Sequence, residues 1–357
     1  MKTAIIALTK NGCATAMRLY EAIKEDAAVS VYLKDTSAPK DAAGQGVVLF
    51  QQKLKELIQD IHKEFDAFVM IMATGIVVRT FAPYIEHKTV DPAIVVMDEK
   101  AQFAISLLSG HLGGANAFAH KVAKTMNAIP VITTATDVNG LIAFDNVAKE
   151  NHCAIENIEM MQRISGALVN GKTVGLFSEL PLQGNIPKEI IFFHNIYDYQ
   201  KSKTESNVVV SNRIVEPKGK HTLYLRPRNL VLGIGCRRDT PFEKIEEALL
   251  DFMKAKEYSL LSLKAMASID LKKDEAGLLR LAETYHLPFL TFSGEELKKV
   301  GNTTGNSSFV EQVTGTPSVS QAAALLAANN GTTVVEKTIY PGITLSLAEE
   351  PNILTIS

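Results

Sequence analysis

The stretch LLSGHLGGANAFAHKVAK, residues 107–124, sets one histidine in a glycine-rich loop that runs into a helical pattern. An imidazole titrates near neutral pH, so His111 is a candidate general base or oxyanion donor. Ser109, Gly110, Gly113 and Gly114 surround it, and Asn116 opens the helix. Backbone N–H groups ahead of a helix's positive end make an anion cradle. The same glycines equally serve a tight strand-to-helix turn, and the loop alone does not decide between the two. His120 falls among Lys121 and Lys124, off the apolar stripe Ala115, Phe118, Ala119, Val122, Ala123 and Met126, so it is expected in solvent. No HExxH or HxH spacing occurs, and Cys13, Cys153 and Cys236 form no CxxC pair, so no protein metal site is expected.

The elements that must carry this loop are short apolar runs at 3–8, 29–33, 67–72, 93–98, 103–108 and 130–134, alternating with helical patterns. Continuously apolar strands indicate a sheet covered on both faces, so residues 1–140 are expected to form a doubly wound α/β domain. Ligands of such sheets bind outside the carboxyl ends of the strands. The polar residues that follow the strands are Thr9 and Asn11, then Thr74, Gly75 and Arg79, then Asp98 and Glu99. Next come the His111 loop and finally Thr134, Thr136 and Asp137. All are expected to converge on one edge of the sheet.

Residues 141–226 read as a small strand-rich middle domain, with strands in KTVGLFSEL, EIIFFHNIYDY, NVVVSNR and HTLYLRP. Residues 227–357 read as a second α/β domain. There a strand at 229–234 is expected to enter a glycine turn at Gly235, then a helix capped by Thr240, with Pro241 at its first position and Glu243 completing a capping box. GIGCRR lacks the third glycine of a dinucleotide fingerprint, and neither a nucleophile elbow nor a P-loop occurs. Arg237, Arg238 and Lys272 are candidate carboxylate or phosphate binders. Cys236, beside two arginines, is a candidate for a lowered thiol pKa, with no readable base. Asp274 and Glu275 read as a helix cap and a first-turn acid. GNTTGNSS is the one low-complexity tract, and VTGTPSVSQAAALLAA is another glycine-threonine loop before a small-residue helix.

With 357 residues, 46% apolar and 21% charged, the chain can bury sizeable cores, and a net charge of −2 argues against nucleic-acid binding. The apolar run at the start, 4–8, is too short for a signal peptide's core, and no run approaches a membrane span. A cytoplasmic protein is the expectation.

Several longer motifs together carry a resemblance. MATGIVVRTFAP, DPAIVVMDE, LLSGHLGGAN and VITTATD, followed by GIGCRR, KKDEAGL, FSGEEL and VTGTPSVSQAAALLAA, resemble, in order and over essentially the whole chain, the CbiG family of cobalt-precorrin-5A hydrolases of anaerobic cobalamin biosynthesis. Gln321 departs from the acidic residue more usual at that place. The resemblance implies hydrolytic opening of the ring A δ-lactone of cobalt-precorrin-5A, with loss of acetaldehyde. It implies no cofactor, because the cobalt belongs to the substrate. It also implies a small-molecule tetrapyrrole partner, with transient contact to other pathway enzymes and a homo-oligomer as further partners, and no nucleic acid or membrane.

On that reading His111 is the general base, Asp98 or Glu99 an alternate base or orienting group, and Arg79 with the loop amides the oxyanion or carboxylate site. The groups Thr74, Gly75, Ser109, Gly110, Gly113, Gly114, Asn116, Thr134, Thr136, Asp137, Gly235, Arg237, Arg238 and Lys272 are expected to bind substrate, across an interdomain cleft. The rival readings are a non-catalytic corrinoid carrier and a nucleotide-dependent α/β enzyme.

Overall fold

The computed structural model describes residues 1–25, 28–40, 42, 44–87, 90–216, 221–301 and 319–356, in two units, Met1–Asn146 and Val147–Ser357. The GNTTGNSS tract and the start of VTGTPSVSQAAALLAA lie almost wholly outside the described residues.

In the first unit the order is β1 (Thr3–Ala7), α1 (Lys10–Ile23), β2 (Val29–Lys34), β3 (Val47–Phe50), α2 (Leu54–Ile61), β4 (Ala67–Ile71) and α3 (Thr74–Phe81). It continues with β5 (Ala93–Met97), β6 (Phe103–Leu108), α4 (Ala115–Met126), β7 (Ile129–Val131) and α5 (Ala135–Val138). The seven strands form one sheet in the order β3-β2-β1-β4-β5-β6-β7. Successive strand residues point to opposite faces. Ile5, Val31, Leu33, Val69 and Ile71 pack under α1 and α4, whereas Ala4, Ile6, Tyr32, Phe68 and Met70 pack under α2 and α3. The domain is doubly wound, as its continuous apolar strands require. The whole α4 stripe named from the sequence is buried, and His120 is exposed. β3, an edge strand with Val48 and Leu49 exposed, was not expected; an exposed edge carries no continuous apolar run to announce it.

Strand direction corrects one expectation. β1 to β5 are mutually parallel, but β6 runs antiparallel to β5, with Ile94 opposite Leu108 and Met97 opposite Ala104. β7 follows β6 in parallel. The carboxyl ends of β6 and β7 therefore lie at the edge where β1, β4 and β5 begin. The strand-end residues do not share one edge.

Helix α6 (Phe144–Glu150) carries the chain into the second unit. Its first part comprises β8 (Cys153–Ile155), α7 (Glu159–Val169), β9 (Val174–Ser178), β10 (Leu182–Gly184), β11 (Ile190–Phe193), α8 (Ile196–Lys201), β12 (Ser206–Val210) and β13 (His221–Pro227). These make a sheet ordered β11-β9-β12-β13-β8, parallel except for β8, with β10 outside it. EIIFFHNIYDY is only half strand: Asn195 accepts the Asp198 N–H and starts α8.

The remainder is β14 (Leu230–Cys236), α9 (Phe242–Ala255), β15 (Leu263–Ile269), α10 (Ala276–Thr284), β16 (Phe289–Phe292), α11 (Gly294–Gly301), α12 (Val319–Ala327), β17 (Thr332–Tyr340), β18 (Ile343–Glu349) and β19 (Leu354–Ile356). Its sheet is ordered β16-β15-β14-β18-β17. β19 pairs with β10, and the Asn151 side chain bonds both the N–H and the C=O of Thr355, so the end of the chain is fastened to the middle segment.

The expected capping box is absent: Thr240 donates to the Arg237 carbonyl, Pro241 is the capping residue of α9, and Glu243 pairs with Arg280 at 3.3 Å. Gly233 and Gly235 lie within β14 rather than in a turn. A Cβ at Gly233 would stand 1.8 Å from the Ser320 carbonyl oxygen, so this glycine lets α12 rest on bare strand backbone. Gly233→Ala is expected to cost at least about 1–3 kcal/mol, the range for overpacking a core. A lowered urea midpoint at unchanged slope checks this; an unchanged midpoint refutes the contact.

Candidate active site

Glycine chemistry shapes the His111 loop between β6 and α4. Gly114 caps α4 at φ +86°, and a Cβ at Gly113 would lie 2.4 Å from Ser109 Cβ, so the chain folds tightly on itself. The Gly114, Ala115 and Asn116 N–H groups donate to the carbonyls of His111, Ser109 and Gly110. These three N–H groups are thus satisfied within the loop and are not open to an anion. Ser109 sits at φ +59° with its hydroxyl buried and unpartnered among the described residues. Strain and an unpaired polar atom in one loop are costs that functional sites carry.

The turn drives the imidazole between two carboxylates. His111 Nε2 lies 2.6 Å from Asp137 Oδ2, and Nδ1 lies 3.1 Å from Asp145 Oδ2. Thr136 Oγ1 stands 3.3 Å from Nε2. Asn116, buried, accepts from the Ser106 hydroxyl at 2.6 Å and donates to Thr134 Oγ1 at 3.1 Å and Asp137 Oδ2 at 3.2 Å. The structure therefore joins His111, Asn116, Thr134, Thr136 and Asp137, all named from the sequence, with Ser106 and Asp145, which were not. Asp145 carried no strand-end signal because it opens a helix after a loop.

Two acceptor carboxylates require a proton on each ring nitrogen. Asp145 above all, against the cost of burial and with Asp137 beside it, raises the His111 pKa from 6.5 to about 9. A doubly protonated ring has no lone pair to receive a proton, so the general-base role expected of His111 is corrected: at neutral pH it is an imidazolium. The triad carries one positive and two negative charges. His111 and Asp145 side chains are 14% and 10% exposed and Asp137 is 32% exposed, so Asp137 is the member that meets solvent.

Across the sheet, at the carboxyl ends of β1, β4 and β5, a separate group forms. Asp98 accepts the N–H groups of Lys100, Gln102 and Phe103 at 2.8–2.9 Å. Its carboxylate closes the β5–β6 turn, which corrects its role as a base. Glu99 accepts the Thr9 hydroxyl at 2.6 Å at the start of α1, on the opposite edge from His111, and is likewise no orienting partner for it. Arg79 is exposed, its guanidinium packed beside Gly75 on α3 with Thr74 at the helix start.

In the second unit Arg238 bonds Asp274 at 2.9 Å and Glu275 at 3.5 Å, and Lys272 bonds Glu275 at 3.0 Å. Glu275 is buried rather than a surface acid; burial lifts its pKa, but Lys272, the Asp239 N–H and Arg238 outweigh that and leave it lowered. These two expected ligand-binding cations are already in ion pairs. Arg237 is exposed and pairs with no carboxylate among the described residues. Burial raises the Cys236 thiol pKa in spite of Lys272 and Arg238, which corrects the lowered value expected there. Gly235 is held against Thr344 of β18, and Gln321 is buried in α12. Among the described residues no group of three or more His, Cys, Asp or Glu is arranged to hold a metal ion, and no helix is long and apolar enough to cross a membrane.

A doubly wound domain with a charged histidine–carboxylate triad, followed by two five-stranded sheets and a two-stranded one, defines a multidomain α/β protein. Comparison with known proteins narrows the class. Family models described as cobalamin synthesis G N-terminal, cobalamin biosynthesis central region and cobalamin synthesis G C-terminus match residues 56–137, 142–227 and 230–348. A Salmonella typhimurium protein named cobalt-precorrin-5A hydrolase is 35% identical over 349 residues, 96% of each chain. A protein of the same name from Priestia megaterium is 30% identical over 98% of this chain and 95% of its own. The solved structure of a cobalamin biosynthesis protein G homolog from Sulfolobus solfataricus is 23% identical, covers 98% of this chain and 97% of its own, and has a TM-score of 0.41. The chain belongs to the CbiG family of cobalamin biosynthesis.

Because folding raises the His111 pKa, the triad's stabilisation is complete below pH 6.5 and is lost as pH rises through about 9. It amounts to at most about 3 kcal/mol. Urea midpoints of the wild type and His111→Gln should differ most below pH 6.5 and draw together toward pH 9. A difference that does not change with pH would refute the imidazolium.

Proposed function

We propose that this chain is a cobalt-precorrin-5A hydrolase. The observation that carries the reading is the 35% identity to a protein of that name over 96% of both chains. The His111 triad supports it by offering the proton chemistry such a reaction needs. The reading includes a tetrapyrrole substrate that brings its own cobalt, no protein cofactor, a cytoplasmic location and transient hand-over to neighbouring enzymes of the pathway.

Asp137 is the general base: its carboxylate reaches solvent, and the His111 imidazolium and the Asn116 amide fix its orientation. It takes a proton from water as the oxygen adds to the lactone carbonyl carbon. The ring C–O bond then breaks, and the proton passes to the departing alkoxide. Asp137 next removes the proton of the new hydroxyl; the adjoining C–C bond breaks, acetaldehyde leaves, and the electron pair left on the macrocycle takes up that proton. His111, positive throughout, offsets the negative charge of the transition state.

The triad's excess negative charge repels the acetate and propionate groups of the macrocycle. The nucleotide-dependent alternative loses its phosphate loop, since the glycines of GIGCRR lie within β14.

Purified protein given cobalt-precorrin-5A should release acetaldehyde, with the lactone-opened product detected by mass spectrometry. Tight binding without turnover would establish the carrier instead. Asp137→Asn should lower kcat by about 10²–10⁴-fold, the range for losing a general base, with KM nearly unchanged.

A further inference from the structure

We propose that Asp145 is a positioning residue for this reaction, holding His111 doubly protonated and aimed at Asp137, and that the central region of the family supplies it. The proposal rests on the reading of Asp137 as base and His111 as its charged partner. Asp145 lies on α6, in the first helical turn, with its side chain 10% exposed and Oδ2 3.1 Å from His111 Nδ1. Its other oxygen accepts the Asn146 N–H at 3.0 Å, which fixes the carboxylate plane.

The N-terminal family match ends at 137 and the central match begins at 142, yet the first structural unit extends to Asn146. Asp137 therefore closes one family region while Asp145, eight residues on, opens the next, and His111 stands between them. The bond made by one ring nitrogen sets the protonation of the whole ring. Without Asp145, Nδ1 faces no carboxylate, the ring reverts toward a neutral tautomer, and its hold on Asp137 weakens as pH rises.

The titratable groups facing His111 are Asp137 from α5 and Asp145 from α6. β6, the loop and α4 contribute neutral groups, among them Asn116, whose amide reaches Asp137 but carries no charge. The effect of losing Asp145 must accordingly depend on pH, which distinguishes positioning from simple support of the fold.

The test compares the full-length wild type with Asp145→Asn and Asp145→Glu. Histidine titrations are followed by NMR with labelled imidazole, and His111 is assigned among the eight histidines by its loss in His111→Gln. The His111 midpoint should fall by about one pH unit or more in Asp145→Asn and recover in part in Asp145→Glu. In turnover of cobalt-precorrin-5A, kcat of Asp145→Asn should be nearly that of wild type at pH 6 and about threefold or more lower at pH 8.5. KM should change less than about twofold at both.

An unchanged His111 midpoint in Asp145→Asn, or an equal loss of kcat at both pH values, overturns the proposal. Should the midpoint fall as expected while Asp137→Asn retains wild-type turnover, the base assignment fails and the Asp145–His111 contact stands. If Asp145→Asn does not fold, Asp145→Glu decides the matter by the same two readouts.

Discussion

Asp98 closes the turn between β5 and β6 by accepting three backbone N–H groups, and the reversal it secures decides where every later group of the first unit falls. A parallel β6 would have delivered the His111 loop beside Thr9 and Arg79, among helix starts and a guanidinium. The antiparallel β6 delivers it to the other edge, where α5 and α6 present carboxylates. An anionic rather than a cationic setting for the imidazole follows from one turn. The Asp98 carboxylate, which looks like a reactive group because it follows a strand, is spent on backbone geometry.

The cost of the triad explains its form. A lone imidazolium removed from water is expensive, and a single carboxylate compensates it only in favourable geometry. Two carboxylates, one on each nitrogen, satisfy every donor of the ring. They leave surplus negative charge that must itself be solvated or bonded. The molecule answers by leaving Asp137 partly in water and by turning the Asn116 amide toward it, with Asn116 in turn fixed by Ser106 and Thr134. The member left wet is the one that carries the surplus charge into solvent.

The strands and the α4 stripe were legible because burial on both faces, or along one helical stripe, writes itself into apolar periodicity. The direction of β6 was not. A covered strand has the same composition whichever way it runs, and only the length of the 98–102 connection hints at a hairpin. His111 was legible as a group in a glycine loop, but its charge was not, since that depends on carboxylates 26 and 34 residues further along the chain. Glu275 shows the same limit: a first-turn acid by local rules, it is a buried anchor for Lys272 and Arg238 because β14 and β15 bring their ends together.

The distribution of charge separates two tasks that local motifs had placed together. Binding an anion needs a free cation, whereas the triad's cation is already bonded to two carboxylates. In the second unit Arg238 and Lys272 are committed to Asp274 and Glu275, so their positive charge is held in place but largely offset. In the first unit, the triad and Arg79 stand at opposite ends of the strands, the triad where β5 begins and Arg79 beyond the end of β4. A guanidinium beside the triad would compete with His111 for the same carboxylates, and the sheet keeps Arg79 away from them. The strand reversal at Asp98 thus does more than place a loop: it makes the His111 imidazolium the cation that Asp137 meets.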